Sequence, residues 1–173
     1  ATKTRLKACR GDSVRVGADR AAEWRLVGEE AAEIMSAYAQ AVVSKKIPAS
    51  ELVRLACERH RRDILRDDLV FNHEEVGSWL DFTRKLEHVD GNAAERGEYF
   101  EPLQWQIFCV GSILGWYHPD GRRRYRLALI EVARGNGKTT LCSALALWAT
   151  LHGHGRENYL FANTLRQAQK AYR

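Results

Sequence analysis

The sequence predicts an α/β fold in which a parallel sheet with flanking helices is preceded by an N-terminal helical region. Residues 125–132 (YRLALIEV) form a short, largely aliphatic run that leads into glycines, as a buried strand does. A helical pattern starts at Lys138, and a second short apolar run occupies residues 158–162 (NYLFA). Strand, loop, helix and strand in this order predict a βαβ unit, here the incomplete start of a sheet domain.

The chain divides into three predicted segments. Residues 1 to about 20 lack sustained periodicity, and residues 1–28 are expected to form a poorly ordered or extended lead-in. Residues 29–98 are expected to form the helical region and a linker, and residues 99–173 the start of the sheet domain. We expect the chain to be part of a longer protein, because it begins with Ala1 and its last residues read as an unfinished helix.

Three helices are predicted in the N-terminal region. The first covers roughly residues 29–44, and Ser50 is expected to cap the second, residues 51–66. Asn72, with a glutamate three residues later, resembles a capping box for a third helix that ends near residue 86. The apolar positions predicted to be buried in the third helix are Val76, Trp79, Leu80 and Phe82 or Thr83.

The second half continues with a polar linker over residues 88–99. Residues 103–114 predict a buried helix, and residues 118–121 (HPDG) predict a turn. In the helix expected at residues 138–152, the inward positions are Leu141, Leu145, Trp148 and Ala149.

Composition excludes some classes of protein. No apolar run approaches the roughly 18 residues that a membrane span needs, and no secretory signal is recognisable, so we expect a cytoplasmic location. Four cysteines without CxxC spacing predict neither a disulfide framework nor a zinc site. The net charge is +5, and the basic excess lies in residues 101–173.

The stretch of residues 131–140 (EVARGNGKTT) predicts a phosphate-binding loop. Gly135 and Gly137 let backbone amides at a helix start approach an anion closely. Lys138 is expected to lie against the β and γ phosphates of a nucleotide, and the Thr139 hydroxyl to bind Mg²⁺. The plainer alternative is a tight turn between strand and helix. Because a strand precedes the loop and a helix follows it, the sequence favours the fold of P-loop NTPases.

One position departs from the usual GxxxxGK[ST] pattern, because Val132 stands where the first glycine is expected. The same loop contains Arg134, four residues before the lysine. A guanidinium at this place could reach the γ phosphate and neutralise charge that develops in a transition state.

This arginine-containing loop resembles that of the large terminase subunits of tailed phages, the ATP-driven motors that package double-stranded DNA. The resemblance extends over about residues 35–173 and is specific from Trp105 onward. The segments that carry it are KIPASELVRLACERHRRDI, WQIF, GWYHPDGRRRYRLALIEVARGNGKTT and NYLFANTLRQAQKAY.

The resemblance implies ATP and Mg²⁺ as cofactors and assigns the site residues. Catalytic roles fall on Arg134 and Lys138, and Thr139 is the implied Mg²⁺ ligand. The implied nucleotide-binding residues are Gln106, Gly135, Asn136, Gly137, Lys138, Thr139 and Thr140. Either Gln104 or Gln106 could read adenine, and we prefer Gln106, because a carboxamide offers both a donor and an acceptor.

The resemblance also implies partners: double-stranded DNA, a portal protein, a small terminase subunit and further copies of the chain in a ring on the procapsid. The expected location is the host cytoplasm, without a membrane. The family carries a C-terminal nuclease and an acidic Walker B motif, and neither occurs between the loop and Arg173. We therefore expect these parts to follow Arg173, and the chain alone to be nearly inactive.

Two other functions remain open: a P-loop helicase or translocase, and a degenerate P-loop that serves as a nucleic-acid-binding module. For three groups of residues, a purely structural role is the alternative to a functional one. Residues 122–126 (RRRYR) could contact DNA phosphates or form a solvated strand edge, with Arg123 on the opposite face from the other arginines. Trp105 is expected in the core rather than stacked on adenine, and Cys57 and His60 in the core rather than on a metal.

Overall fold

The computed structural model describes residues 18–88, 91–152, 158, 159 and 161. Its elements in chain order are α1 (Ala18–Val43), α2 (Glu51–Asp63), β1 (Val70–Phe71), α3 (His73–Thr83), α4 (Gly91–Glu95), α5 (Gln104–Gly115), β2 (Trp116–Tyr117) and α6 (Lys138–His152). The described part is therefore mostly helical, with one small sheet.

The helices α1 and α3 pack closely against each other, because glycines lie on both helices. A Cβ at Gly28 would lie 1.9 Å from the carbonyl oxygen of His73, and one at Gly77 would lie 1.7 Å from that of Trp24. Neither position can hold a side chain without separating the two helices.

The caps of α2 and α3 agree with the sequence prediction. The Ser50 side chain accepts a hydrogen bond from the backbone N–H of Val53 at 3.5 Å, and the Asn72 carboxamide accepts one from Glu75 N–H at 3.0 Å. Each bond satisfies one of the amide groups that a helix start leaves free. Both helices end slightly before the predicted residues.

One hydrophobic cluster joins the helices of both halves of the chain. Its buried members are Ala31, Met35, Ala39, Val42, Cys57, Val76, Trp79, Leu80, Phe100, Ile107, Phe108, Val110, Leu114, Leu141, Ala144 and Trp148. The positions predicted to be buried on α3 and α6 lie in this cluster or pack against it, except that the fully buried Thr83 takes part through a hydrogen bond. The division at residues 98 and 99 stays a prediction.

The predicted parallel sheet is not present among the described residues. The sheet there is a two-stranded antiparallel pair, in which Val70 pairs with Tyr117 and Phe71 with Trp116. Residues 125–132 are not a strand, and Leu127 and Leu129 are 92% and 86% exposed. A strand of a parallel sheet needs neighbours on which to bond and pack, and no described segment pairs with this one.

The second predicted strand, residues 158–162, lies only partly within the described residues. Positions 158, 159 and 161 are described, and none is in a strand. The predicted βαβ unit is therefore reduced, in the described part, to its loop and its helix α6. The mixed composition of helices and a small sheet is consistent with an incomplete α/β domain.

The first helix begins earlier than predicted. The sequence pattern places residues 18–28 in the lead-in, but they are helical. Gly28 weakens the helical pattern in the sequence, yet the crossing with α3 requires a glycine at this position. Residues 1–17 lie outside the described part of the chain.

The two ends of the predicted linker bond to each other, and its described part contains α4. His88 N–H donates to the Glu98 carbonyl at 3.0 Å, and Phe100 N–H donates to the Leu86 carbonyl at 2.7 Å. Phe100 is buried, so the end of this loop belongs to the core. Within the described ranges, no helix has the length and apolar composition that crossing a bilayer requires.

Gly77→Ala tests the helix crossing. Alanine normally favours a helix over glycine by about 1 kcal/mol, but here its methyl group would overlap the Trp24 carbonyl. We expect the free energy of unfolding to fall by about 1–3 kcal/mol, measured by urea denaturation. Gly28→Ala should behave alike, and an increase in stability for either variant would contradict the crossing.

Burial of His60 predicts a pH dependence of stability. His60 is 5% exposed, and burial lowers the pKa of its imidazole below the ordinary 6.5, with Asp63 opposing the shift. The unfolded state therefore binds more protons as the pH falls below about 6.5, and the folded state loses stability there. Above that pH, His60 contributes no slope.

We expect the midpoint of urea unfolding to decrease between pH 7 and pH 5, and His60→Leu to flatten this decrease. Arg84 lowers the pKa of the Glu30 carboxyl below its ordinary value of 4.5, so the stability that this pair contributes is lost only at more acidic pH. An unchanged pH profile in the variant would show that His60 does not cause the slope.

Candidate phosphate-binding loop

The loop predicted to bind phosphate is an exposed turn directly before α6. Gly135 and Gly137 have φ values of +89° and +69°, in the left-handed region that favours glycine. Residues 133–140 are all exposed, so none of the described side chains packs over the turn. The two glycines thus produce the predicted turn, and the start of α6 that follows it is open to solvent.

Two side chains of the loop bond to its own carbonyls. The Lys138 ammonium donates to the Val132 carbonyl at 2.9 Å, and the Asn136 amide donates to the Ala133 carbonyl at 3.2 Å. Lys138 therefore spans the loop from the first residue of α6 back to its entry. This places an ammonium group beside the free amides of the helix start, where an anion is favoured.

The remaining predicted site residues lie in the loop or on the first turn of α6. Arg134, Thr139 and Thr140 are exposed, and Arg134 forms no ion pair with any described residue. The structure therefore brings together a guanidinium, an ammonium and two hydroxyl groups within one short segment. Their assigned roles stay predictions.

Gln106 is brought to this loop from α5. Its side chain is 2% exposed, and its amide nitrogen Nε2 lies 3.3 Å from the position that a Cβ on Gly137 would occupy. Its oxygen Oε1 accepts a hydrogen bond from the backbone N–H of Leu103 at 2.8 Å. Gln104, the other predicted candidate for adenine, is exposed on the first turn of the same helix. Trp105 packs against the hydrophobic core, as expected.

Packing of α6 on α3 holds the loop in place. Leu141, Ala144 and Trp148 are each 3% exposed, and the Trp148 indole N–H donates to the Ser78 hydroxyl at 2.9 Å. Ser78 follows Gly77, so adjacent residues of α3 contact α1 and α6. The position of the loop thus depends on the crossing of α1 and α3.

The arginines of residues 122–126 lie in two different environments. Arg122 is 82% exposed and pairs with Asp120 at 2.7 Å. Arg123 bonds to Glu75 and donates to the Leu114 carbonyl at 3.2 Å, so it ties the run to α3 and α5. Arg126 is exposed.

Arg124 forms the most buried ion pair among the residues that the structure describes. Its Nη1 lies 2.6 Å from Oδ2 of Asp63, without hydrogen-bond geometry, and the two side chains are 14% and 2% exposed. The guanidinium also stacks over the Tyr125 ring at 5.1 Å, and the Tyr125 hydroxyl donates to Asp63 at 3.3 Å. Arg123 and Arg124 are thus anchors rather than an exposed edge for DNA phosphates. The predicted placement of Arg123 on the opposite face from the other arginines does not apply, because the run is not a strand.

Sequence reasoning missed Asp63 and Glu75 as partners of this run. They lie about sixty and fifty residues before the arginines, so no local pattern connects them. The prediction for Cys57 and His60 is confirmed, because both are buried in the core. The described residues contain no group of three side chains able to hold a metal ion.

Residues 104–173 match a family model, the ATPase domain of the terminase large subunit. This part of the chain is thus shown to belong to a DNA-packaging ATPase domain. This match confirms the resemblance to large terminase subunits that the sequence predicts. No curated protein and no solved structure matches the chain.

Asp63→Asn tests the buried anchor. The substitution leaves the Arg124 guanidinium buried without a charged partner, and we expect a loss of about 3–5 kcal/mol in the free energy of unfolding. Asp120→Asn is the matched control, because it removes the partner of the exposed Arg122, and we expect a change within about 0.5 kcal/mol. Equal effects in thermal denaturation would contradict the buried pair.

Proposed function

We propose that the loop at residues 134–139 binds Mg·ATP and that the large subunit hydrolyses it to translocate double-stranded DNA into procapsids. The observation that carries the proposal is the open turn at the start of α6, with Lys138 and Arg134 beside free helix amides. The family match over residues 104–173 supports the assignment to an ATPase.

Each residue of the loop has a defined task in this proposal. Amides at the start of α6 and the Lys138 ammonium bind the β and γ phosphates, and Lys138 exchanges its contact with the Val132 carbonyl for them. Gly135 and Gly137 keep the backbone close to the phosphates, while Asn136 braces the turn through Ala133. Arg134 neutralises charge that develops on the γ phosphate.

Magnesium fits the exposed first turn of α6, because Thr139 offers a hydroxyl oxygen at the solvent side of the loop. When held there, the ion would offset the negative charge of the phosphates. Thr140 lies next to it on the same turn. The fold proposed for the complete domain is that of a P-loop NTPase, in which residues 125–132 become a strand once neighbouring strands are present.

The partners follow from the same proposal. A ring of subunits at a portal protein would move the DNA, a small terminase subunit would select it, and a C-terminal nuclease would cut it. All of this would take place in the host cytoplasm. The family match argues against a helicase, and the inward anchoring of Arg123 and Arg124 argues against a purely DNA-binding module.

Lys138→Ala tests nucleotide binding. Loss of a charge-assisted contact to phosphate should weaken Mg·ATP binding by about 10- to 100-fold. Isothermal titration calorimetry of the large subunit measures this, and Lys46→Ala, at an exposed lysine on the turn after α1, is the control. The proposal is wrong if the unaltered subunit does not bind Mg·ATP, or if both variants bind it equally.

Arg134→Ala tests the catalytic role of the guanidinium. An arginine that stabilises a phosphoryl-transfer transition state contributes about 10³-fold or more to the rate. We expect hydrolysis by the large subunit to fall accordingly, while the dissociation constant for Mg·ATP changes much less. Arg122→Ala, at an exposed arginine before the loop, should leave the rate unchanged. A rate that survives in Arg134→Ala would remove this role.

A further inference from the structure

We propose that a cavity between α1, α2 and the β1–β2 pair binds the ammonium group of an aliphatic amine. The cavity has a volume of about 570 Å³, and none of the residues that line it belongs to the phosphate-binding loop. This volume is typical of pockets that hold drug-sized ligands, so the ammonium group belongs to an extended chain. The site is independent of the proposed nucleotide binding.

Four rings line the cavity in a continuous series: His60, Trp116, Phe71 and His73. The centroids of successive rings lie 6.0, 5.1 and 5.0 Å apart, and their planes are inclined by 73°, 73° and 70°. Rings inclined in this way present both faces and edges to their surroundings. Because an aromatic face attracts a cation, the Trp116 and Phe71 rings favour a positively charged organic group.

Carboxylates of the cavity carry the charge that complements such a group. Glu29 and Glu33 line it from adjacent turns of α1, and Asp63 lines it from α2. Asp63 is paired with Arg124, and Glu29 lies 3.6 Å from Arg25 in an exposed pair. Glu33 is exposed and forms no ion pair with any described residue. Its carboxylate is therefore free to pair with a bound cation.

The guanidinium of Arg66 also lines the cavity, but its charge is already neutralised. Its Nε and Nη2 donate to the two carboxylate oxygens of Asp68 at 2.8 and 2.5 Å. A bidentate pair of this kind engages the guanidinium in fixed geometry. The cavity therefore keeps an excess of negative charge, which excludes an anion as its ligand.

His60 indicates that the ligand carries N–H groups. Its side chain is 5% exposed, and neither Nδ1 nor Nε2 has a hydrogen-bond partner among the described residues. Burial lowers the pKa of this imidazole below 6.5, so the ring is neutral at pH 7 and one nitrogen keeps its lone pair. A primary ammonium donates to such a nitrogen and to carboxylates together. Nδ1 of His73 is a second buried nitrogen without a described partner.

Three ligands with the same butyl chain test this chemistry. Butylamine carries a positive charge and N–H donors at pH 7, butyltrimethylammonium carries the charge without the donors, and 1-butanol is uncharged. Calorimetry on the full chain at constant ionic strength should show that butylamine binds about tenfold more tightly than either of the others. The proposal is wrong if butylamine does not bind, or if the three ligands bind equally.

Glu33→Gln tests the free carboxylate. The side chain is exposed, so the variant should keep its melting temperature, while butylamine binds about fivefold more weakly. Glu23→Gln is the matched control, because it removes the same charge from an exposed glutamate about 15 Å further along α1. Equal losses in both variants would show that overall charge, not the cavity, attracts the amine.

His60→Phe tests the buried nitrogens, since it retains a ring and removes both of them. The preference for butylamine over butyltrimethylammonium should disappear in this variant, with the melting temperature measured alongside. A preference that survives would remove His60 from the site. If His60→Phe does not fold, the comparison of Glu33→Gln with Glu23→Gln still decides whether the cavity binds the amine.

Two further ligands distinguish the sources of the ammonium group. Spermidine represents a free polyamine, and a Gly-Lys-Gly peptide with blocked ends represents a lysine side chain of a partner polypeptide. Each is titrated against butylamine on the unaltered chain. Tighter binding of spermidine assigns the cavity to free amines, and tighter binding of the peptide assigns it to a partner. If neither displaces butylamine, the proposal is overturned.

Discussion

The close packing of α1 on α3 positions the other described helices and, through α6, the loop at residues 133–137. At Gly28 and Gly77 the two backbones lie so close that one added methyl group would overlap the facing carbonyl. Ser78, the next residue of α3, bonds to Trp148 of α6. Because α3 contacts both α1 and α6, a small shift of α3 would also move the loop at the start of α6.

The loop is connected to the rest of the protein at its helical end. Burial of Leu141, Ala144 and Trp148 fixes α6, and Gln106 contacts the loop from α5. On the other side, residues 125–132 have no strand partner in the described part, although the anchor at Arg124 holds their start. The proposed phosphate site is thus positioned by helices, and a sheet would complete its second wall.

The helices and their caps could be predicted from the sequence, because a helix satisfies its backbone with bonds between near neighbours. Ser50 and Asn72 show this, and so does the start of α6 at Lys138. The strand at residues 125–132 could not be judged in the same way. A strand bonds to partners distant in sequence, and an apolar run carries no information on whether a partner is there.

The loop could be predicted from the sequence, because its glycines, its lysine and its unusual arginine are local features whose chemistry follows from residue type and spacing. The direction of the Gln106 side chain and the burial of particular arginines could be known only from the packed structure. Those outcomes depend on contacts with Gly137, Glu75 and Asp63, which lie some thirty to sixty residues away in the chain. Distant side chains meet only after helices have packed, so no local pattern specifies them.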